Sequence, residues 1–433
     1  MQTSLADFIK NTAEGQEADE ILRSCVHCGF CLAVCPTYQL LGDELDSPRG
    51  RIYLMKQVFE GAPVTEKTQL HLDRCLTCRA CETVCPSGVR YGRLVDIGRG
   101  IVEKKVGRRL VDGSMRYALR QTLARPDVVA ALLKLGQSAR PLLPGKLKNS
   151  LSLFKHGTSR ESGAAWPPLR QNRRMLVLEG CVQPALAPQI NASAARVLDM
   201  LGISLIKAPD AGCCGALSYH LNAQQEGMDY MRRNVDAWWP YLQPQGGVEA
   251  IVMTASGCGV TVKEYGHLLR HDPAYAEKAA RISELTKDIS EVIEAETPSL
   301  TLLLDKLPQQ KKGGRLAFHS PCTLQHGMRI RGVVEKILTI AGFQLTDVPD
   351  AHLCCGSAGT YSILQPELSQ QLLKNKVAAL QSGAPERIAT ANIGCLMHIQ
   401  SGARLPVGHW IQILDEKFGE MDEQTRMAVQ VEE

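Results

Sequence analysis

The sequence of 433 residues predicts an α+β multidomain fold, in which a helical N-terminal domain precedes two α/β repeats. Two cysteine runs of identical spacing lie near the N-terminus and begin fifty residues apart. After Arg174 the pattern changes to short apolar strands that alternate with helices, and this pattern occurs twice with matching cysteines. We therefore expect four segments, at residues 1–100, 101–174, 175–312 and 313–433.

The two cysteine runs share the spacing C-x2-C-x2-C-x3-C-P, with which bacterial two-cluster ferredoxins hold a pair of 4Fe–4S clusters. In that arrangement the fourth cysteine of each run binds the other cluster. We predict that one cluster is held by Cys25, Cys28, Cys31 and Cys85. The other cluster is predicted on Cys35, Cys75, Cys78 and Cys81. Residues 1–100 are thus expected to form a helical, ferredoxin-like domain.

Two other roles for these cysteines were weighed. Zinc is one alternative because C-x2-C pairs are common structural zinc ligands, but a zinc site does not require this spacing twice over. A disulfide framework is disfavoured by the length of the chain and by an N-terminus without the basic and apolar regions of a signal peptide. Sixteen cysteines then indicate a reducing cytoplasm, and the lack of about 18 consecutive apolar residues predicts no membrane span.

Three helices are predicted around the cysteine runs. The first covers residues 1–24, with Phe8, Ala18, Ile21 and Leu22 on its apolar side. The second begins after Ser47 and ends at Gly61, and the third covers residues 66–74. Two arginines in the first turn of the second helix either tune the charge of the clusters or are ordinary surface residues: Arg49 and Arg51.

The segment from Arg90 to Arg174 is strongly basic, with 19 Lys+Arg against 5 Asp+Glu, whereas the rest of the chain has 30 against 40. An acidic protein, an anionic membrane surface or nucleic acid could recognise such a segment, and it could also be a solvated connector. We expect no nucleic-acid partner. Peripheral membrane contact is best supported by an apolar run with interspersed lysines at residues 142–155, which could equally dock on its own C-terminal part.

Each α/β repeat contains four cysteines at matching intervals. The first has a strand at residues 175–178, a helix at 192–201 and a strand at 203–207, and the second has them at 316–319, 333–341 and 343–348. In both repeats the cysteine pair lies 32 residues after the first cysteine. We predict that these cysteines bind a cofactor as soft ligands of iron–sulfur or zinc, or form a redox dithiol: Cys181, Cys213, Cys214, Cys258, Cys322, Cys354, Cys355 and Cys395.

The repeats resemble the CCG cysteine-rich family, found in heterodisulfide reductase subunits, lactate-utilisation proteins and anaerobic glycerol-3-phosphate dehydrogenase. That family ends its pattern with C-x2-C, whereas Thr261 and His398 stand where the last cysteine is expected here. The resemblance implies one or two further iron–sulfur clusters in the repeats. Five histidines near the cysteine motifs are candidate proton-transfer groups or replacement ligands, with His398 best placed: His220, His319, His326, His352 and His398.

Residues 33–46, 48–54, 72–79 and 317–326 resemble the family of bacterial glycolate oxidase iron–sulfur subunits. The resemblance implies an electron-transfer subunit without catalytic residues, in complex with two FAD-linked oxidase-type flavoproteins that oxidise glycolate to glyoxylate. Electrons would reach a membrane quinone, with the chain in the cytoplasm or peripheral on the inner membrane. The chain itself lacks a G-x-G-x-x-G nucleotide fingerprint after a predicted strand.

Three alternatives remain open. One is the iron–sulfur subunit of a D-lactate or glycerol-3-phosphate dehydrogenase, since the substrate would be chosen by the flavoprotein. Another is a heterodisulfide-reductase-like enzyme in which this chain alone reduces a disulfide. The third is a zinc-stabilised scaffold for protein or nucleic-acid binding.

Overall fold

The computed structural model describes residues 1–138, 165–242, 247–306 and 313–419. The apolar run predicted at residues 142–155 lies outside these ranges. Within the described ranges, no helix is both long and apolar enough to cross a membrane.

The first described range is helical. Its α-helices are α1 (Ala13–Ser24), α2 (Pro36–Leu41), α3 (Pro48–Phe59), α4 (Glu66–Asp73), α5 (Ala80–Thr83), α6 (Tyr91–Val106), α7 (Leu110–Leu123) and α8 (Pro126–Ser138). Helix α3 begins where the sequence predicts, because the Ser47 side chain accepts a hydrogen bond from the Gly50 amide and Pro48 needs no donor at the first position. The helix predicted over residues 1–24 was too long, since α1 begins at Ala13 and Phe8 is exposed.

Two four-stranded parallel sheets follow. The first has the order β2-β1-β3-β4 and consists of β1 (Arg173–Val177), β2 (Ile203–Lys207), β3 (Val248–Met253) and β4 (Thr286–Asp288). The second has the order β6-β5-β7-β8 and consists of β5 (Arg315–His319), β6 (Gln344–Leu345), β7 (Arg387–Thr390) and β8 (Val407–His409). The identical order confirms the predicted pair of α/β repeats, although β6 is much shorter than the strand predicted at residues 343–348.

Helices surround both sheets. The first repeat contains α9 (Gln183–Leu186), α10 (Gln189–Met200), α11 (Ala216–His220), α12 (Gln224–Trp238), α13 (Ser256–Val262), α14 (Tyr265–Leu268), α15 (Ala276–Leu285), α16 (Ile289–Ala295) and α17 (Thr297–Asp305). The second contains α18 (Val333–Ile340), α19 (Tyr361–Leu364), α20 (Pro366–Gln381), α21 (Ile393–Gly402) and α22 (Trp410–Gly419). One apolar core joins the repeats, where Ile190 and Leu198 of α10 belong to the same cluster as Trp410 of α22.

Arginines of the basic segment pair with acidic residues from elsewhere in the chain. Arg108 contacts Asp73, Arg120 lies 3.0 Å from Glu226, and Arg173 lies 2.9 Å from Glu249. Part of the positive charge of this segment is therefore paired with acidic residues from the rest of the molecule. This pairing weakens the case that the described part of the segment serves as a binding surface for an anionic partner.

Candidate metal centres

The two N-terminal cysteine loops have the same backbone conformation. His27 and Gly29 in the first loop have φ angles of 56° and 87°, and Thr77 and Arg79 at the matching positions of the second loop have 52° and 62°. Left-handed residues at both positions turn the chain sharply, so that cysteines separated by two residues face a common point. The repeated spacing in the sequence thus corresponds to a repeated structure.

The first loop forms the wall of a pocket whose lining includes the four cysteines predicted to share a cluster. Cys25, Cys28 and Cys31 come from the first run and Cys85 comes from the second, with Cys81 also at the edge. Burial, followed by the charge of Cys25, raises the pKa of Cys31 to about 11. Crowded thiols of this kind ionise readily only when a metal cation offsets the repulsion, so this donor set fits an iron–sulfur cluster.

The four cysteines predicted for the second cluster also lie together. Burial raises the pKa of Cys81, and the next contributions come from the charges of Cys78, Glu82, Cys75 and Cys35. Cys35 of the first run therefore lies near the cysteines of the second run, which is compatible with the ferredoxin arrangement. Its Sγ lies 3.3 Å from Oγ1 of Thr37.

Buried arginines hold this second group in place. Arg51 is 1% exposed and donates hydrogen bonds to Oγ1 of Thr37 at 3.0 Å and to Asp46 at 3.2 Å. Arg99 of α6 donates to the carbonyl of Cys75 at 2.5 Å and to Thr77 at 2.9 Å. Of the two readings of the arginines in α3, charge tuning therefore suits Arg51, because its guanidinium is buried beside the thiols. Nothing in the sequence distinguishes Arg99 from the other arginines of the basic segment.

In the α/β repeats, each cysteine group lies at the carboxyl edge of its sheet. The glycine that follows each cysteine pair has a positive φ, 86° at Gly215 and 92° at Gly356. The Gly356 amide donates to Sγ of Cys354 at 3.4 Å, and a Cβ on this glycine would lie 2.6 Å from the carbonyl oxygen of Ser369. Gly215 makes the same contact with Cys213 at 3.5 Å. Only glycine fits, which explains the CCG sequence.

The four cysteines of the first repeat form a continuous chain of contacts. Cys213 is hydrogen-bonded to Cys181 and Cys214, which lowers the pKa of Cys213, and Cys214 also contacts Cys258. Neutral side chains hold the loop: Asn234 donates to the carbonyl of Cys213 at 2.9 Å, and the Tyr265 hydroxyl donates to that of Cys214 at 2.8 Å. The pair is buried, whereas Cys181 and Cys258 are half-buried.

The second repeat repeats this chain of contacts but extends it into the N-terminal region. Cys354 contacts Cys322 and Cys355, and Cys355 contacts Cys395. All four are buried. Cys322 lies in one apolar cluster with Cys354, and Cys78 packs against this cluster, so a predicted ligand of the second N-terminal cluster lies beside the cysteine group of the second repeat.

Comparisons with known proteins agree with this architecture. Residues 21–89 match the 4Fe–4S dicluster domain, and residues 175–263 and 316–400 each match the cysteine-rich CCG domain. The chain is 55% identical to the glycolate oxidase iron–sulfur subunit of Escherichia coli K12 over 417 residues, which span 96% of this chain and 99% of that protein. This chain belongs to the family of glycolate oxidase iron–sulfur subunits. Its cofactors are accordingly iron–sulfur clusters.

Two further relatives have lower sequence identity to this chain. The probable glycolate oxidase iron–sulfur subunit of Bacillus subtilis 168 is 31% identical over 92% of this chain and 91% of its own length. Lactate utilization protein A of Bacillus licheniformis is 30% identical over 51% of this chain and 87% of its own length.

The structure places the five candidate histidines in different surroundings. For His398, which was preferred as a replacement ligand, Nε2 lies 3.2 Å from Oγ of Ser369. His220 pairs with Asp96 at 3.1 Å, and His326 joins Thr83 at 3.0 Å to the carbonyl of His352 at 2.9 Å.

The remaining histidine, His319, lies within the cysteine group of the second repeat. One ring nitrogen of His319 and the sulfurs of Cys355 and Cys395 all lie within 4.8 Å of one another. Burial, followed by the charge of Lys376, lowers the pKa of His319 to about 3. Its position as the last residue of a strand that precedes a cysteine was the available sequence signal.

Proposed function

We propose that this chain is the electron-transfer subunit of a glycolate-oxidising complex. It would accept electrons from a partner flavoprotein that converts glycolate to glyoxylate and pass them towards the quinone pool. The relationship to the Escherichia coli subunit supports the substrate. The observation that carries the transfer role is the contact between Cys78 and Cys322, because it joins the dicluster region to the second repeat through two neighbouring thiols.

The proposal assigns ligands as follows. One 4Fe–4S cluster is held by Cys25, Cys28, Cys31 and Cys85. The other is held by Cys35, Cys75, Cys78 and Cys81. The repeats supply two further sets of thiolates, from Cys181, Cys213, Cys214 and Cys258 and from Cys322, Cys354, Cys355 and Cys395. When bound, iron–sulfur clusters supply one-electron carriers, which a flavoprotein that has taken two electrons from its substrate needs.

The protein side chains set the order of the centres and their exposure. The first cysteine loop is at the surface, where Cys28 is exposed and Val26 and Phe30 are 68% and 64% exposed. In the second group Cys35 and Cys81 are buried, as are all four cysteines of the second repeat. Leu76, Tyr361 and Leu372 pack in one cluster with Cys322 and Cys354. Exposed apolar side chains beside a redox centre suit a partner that must approach closely, so we assign this loop to contact with a partner redox subunit.

The flavin is assigned to partners, and two FAD-linked oxidase-type subunits are proposed. Delivery of electrons to a quinone requires contact with a membrane surface. We therefore propose peripheral association with the cytoplasmic face of the inner membrane, which does not need a spanning helix.

The test is anaerobic purification of the complex with Cys25→Ser in this chain. We expect glycolate to reduce the flavin at the normal rate, while quinone reduction falls more than roughly a hundredfold because the first cluster loses a ligand. Stopped-flow flavin absorbance and quinone reduction measure the two steps. Ser87→Ala, which changes a side chain lining the same pocket, is the matched control and should leave both rates unchanged. Normal quinone reduction in Cys25→Ser would refute the proposal.

A lactate-oxidising complex is the second candidate, because lactate utilization protein A matches half of this chain. The flavoprotein partner would choose the substrate, so the contacts of this chain do not separate the two. Flavin reduction by glycolate and by D-lactate, compared in the same purified complex, decides between them.

A further inference from the structure

The second repeat contains a buried histidine among its cysteines. His319 ends β5, which lies between β6 and β7, and it is 2% exposed. Cys355 follows β6 and Cys395 follows β7, so the strand order brings all three residues to the same carboxyl edge. Their ligand atoms lie within 4.8 Å of one another.

The Nε2 atom of His319 is buried and lacks a hydrogen-bond partner. A buried polar atom left unpaired destabilises the fold, so such an atom usually has a specific role. A ring nitrogen next to two thiols is a donor set that suits iron as well as zinc. The unpaired nitrogen and the neighbouring sulfurs are therefore explained together if they bind the same metal centre.

The first repeat provides an internal comparison. The residue three positions before Cys181 is Leu178, whereas His319 is three positions before Cys322. Leu178 is buried in an apolar cluster with Cys214 and Met253. The two repeats therefore present the same thiols on the same scaffold, but only the second adds an imidazole at this position.

We propose that a ring nitrogen of His319 binds iron in the centre held by the second repeat, next to Cys355 and Cys395. This inference rests on the proposed role of the second-repeat cysteines as ligands and adds a nitrogen donor to them. An imidazole nitrogen is a neutral donor, as in the histidine-ligated Rieske clusters, so it adds a bond to iron without adding negative charge. The two repeat centres would then differ in this one donor, because each repeat already supplies four thiols.

The experiment uses the full chain in its complex, purified anaerobically with 15N-labelled histidine. Iron and acid-labile sulfide are counted, and nitrogen hyperfine coupling is measured by pulsed EPR after stepwise reduction. We expect a strong histidine nitrogen coupling in the unaltered protein. It should be lost in His319→Leu, which installs the residue found in the first repeat, and in His319→Cys, which should retain iron because it supplies a thiolate.

His398→Leu is the control, and it should change neither the iron content nor the coupling. A wild-type protein without strong histidine coupling, or a His319→Leu protein that keeps it, would overturn the proposal. The two variants at His319 keep the test decisive if one of them folds poorly.

Cys395→Ser separates this inference from the ligand assignment. If Cys395→Ser loses iron while His319→Leu keeps iron and spectrum unchanged, the histidine role fails and the cysteine site stands. If Cys395→Ser also keeps all its iron, the proposed assignment of the second repeat fails with it.

Discussion

The two repeats have the same strand order and the same glycine conformation after the cysteine pair, yet they surround their thiols differently. In the first repeat two of the four cysteines are half-buried, Asn234 and Tyr265 donate to the carbonyls of the loop, and the charge of Arg233 acts on Cys213. In the second repeat all four are buried, His319 lies among them, and Lys376 donates to the carbonyl of Asp350 at 2.8 Å. One scaffold therefore provides two distinct environments for soft ligands.

The repeats also contact the helical N-terminal region by different means. Ion pairs attach the first repeat: Arg270 lies 2.7 Å from Glu17, and Arg79 lies 2.7 Å from Glu264. An apolar cluster that includes Leu76, Tyr361 and Leu372 attaches the second. Since water and ions weaken the first kind of contact more than the second, we expect salt to loosen the contact of the first repeat with the N-terminal region more than that of the second.

The prediction with the largest expected effect concerns electron transfer through the two repeats. Cys355→Ser should slow quinone reduction more than roughly tenfold relative to Cys214→Ser, the equivalent change in the first repeat. The reason is that Cys355 belongs to the chain of contacts that reaches Cys78 through Cys354 and Cys322. Stopped-flow quinone reduction by the intact complex provides the measurement, with flavin reduction as the internal control. An equal or larger loss in Cys214→Ser would show that the first repeat carries the main route.

The next prediction tests whether the loop that contains the cysteine pair requires glycine in both repeats. Gly356→Ala should lower the free energy of unfolding by about 2–4 kcal/mol, because a Cβ at φ 92° would also meet the Ser369 carbonyl. Gly359→Ala is the matched control, since this glycine has φ 63° but open space around it, and about 1 kcal/mol is expected. Thermal unfolding measures both.

Gly215→Ala should behave like Gly356→Ala, since a Cβ there would meet the carbonyl of Gly227. A loss no larger than that of the Gly359 control would mean that the CCG loop can relax.

A smaller effect tests the ionic attachment of the first repeat. Burial alone would raise the pKa of Glu17, but contact with His267 and the charges of His267, Arg270 and Arg93 lower it to about 2. A lowered carboxyl pKa stabilises the fold fully above the ordinary value of 4.5, and this stability is lost as the pH falls towards about 2.

Glu17→Gln should therefore cost about 1–3 kcal/mol at pH 7, and the difference from the unaltered protein should shrink below about pH 4.5. Hydrogen exchange of α14, which follows local opening, measures it across this pH range. Asp7→Asn removes an ion pair whose carboxylate is 92% exposed, and it should change little. A difference that stays constant with pH would exclude the charge of Glu17 as the cause.

Spacing made the N-terminal cysteines and the repeats predictable. The C-x2-C-x2-C-x3-C-P runs and the matching 32-residue intervals are local patterns, and each corresponds to a repeated local structure. Helix α3 was also predictable, because Ser47 and Pro48 form its start signal within three residues.

Contacts between distant segments could not be predicted. The contact between Cys78 and Cys322 joins residues that are far apart in the chain. The ion pairs of the basic segment likewise depend on acidic residues from other parts of the chain. His398 was preferred because it filled a gap in a linear pattern, whereas His319 lies near Cys355 and Cys395 because the ends of their strands are adjacent. Strand order decides which residues meet, and the linear sequence does not show it.

The smallest expected effect distinguishes the two attachments by their response to salt. Raising sodium chloride from 0.1 to 1 M shortens the Debye length from about 10 to about 3 Å, which weakens partly exposed ion pairs but not apolar contacts. We expect amide exchange in α12 and α14 to accelerate about two- to fivefold, while exchange in α19 and α20 stays unchanged or slows. Glu17→Gln should blunt the response of α14, because its ion pairs are already absent. Equal acceleration in both regions would show that salt acts on the whole molecule and that the two repeats are held alike.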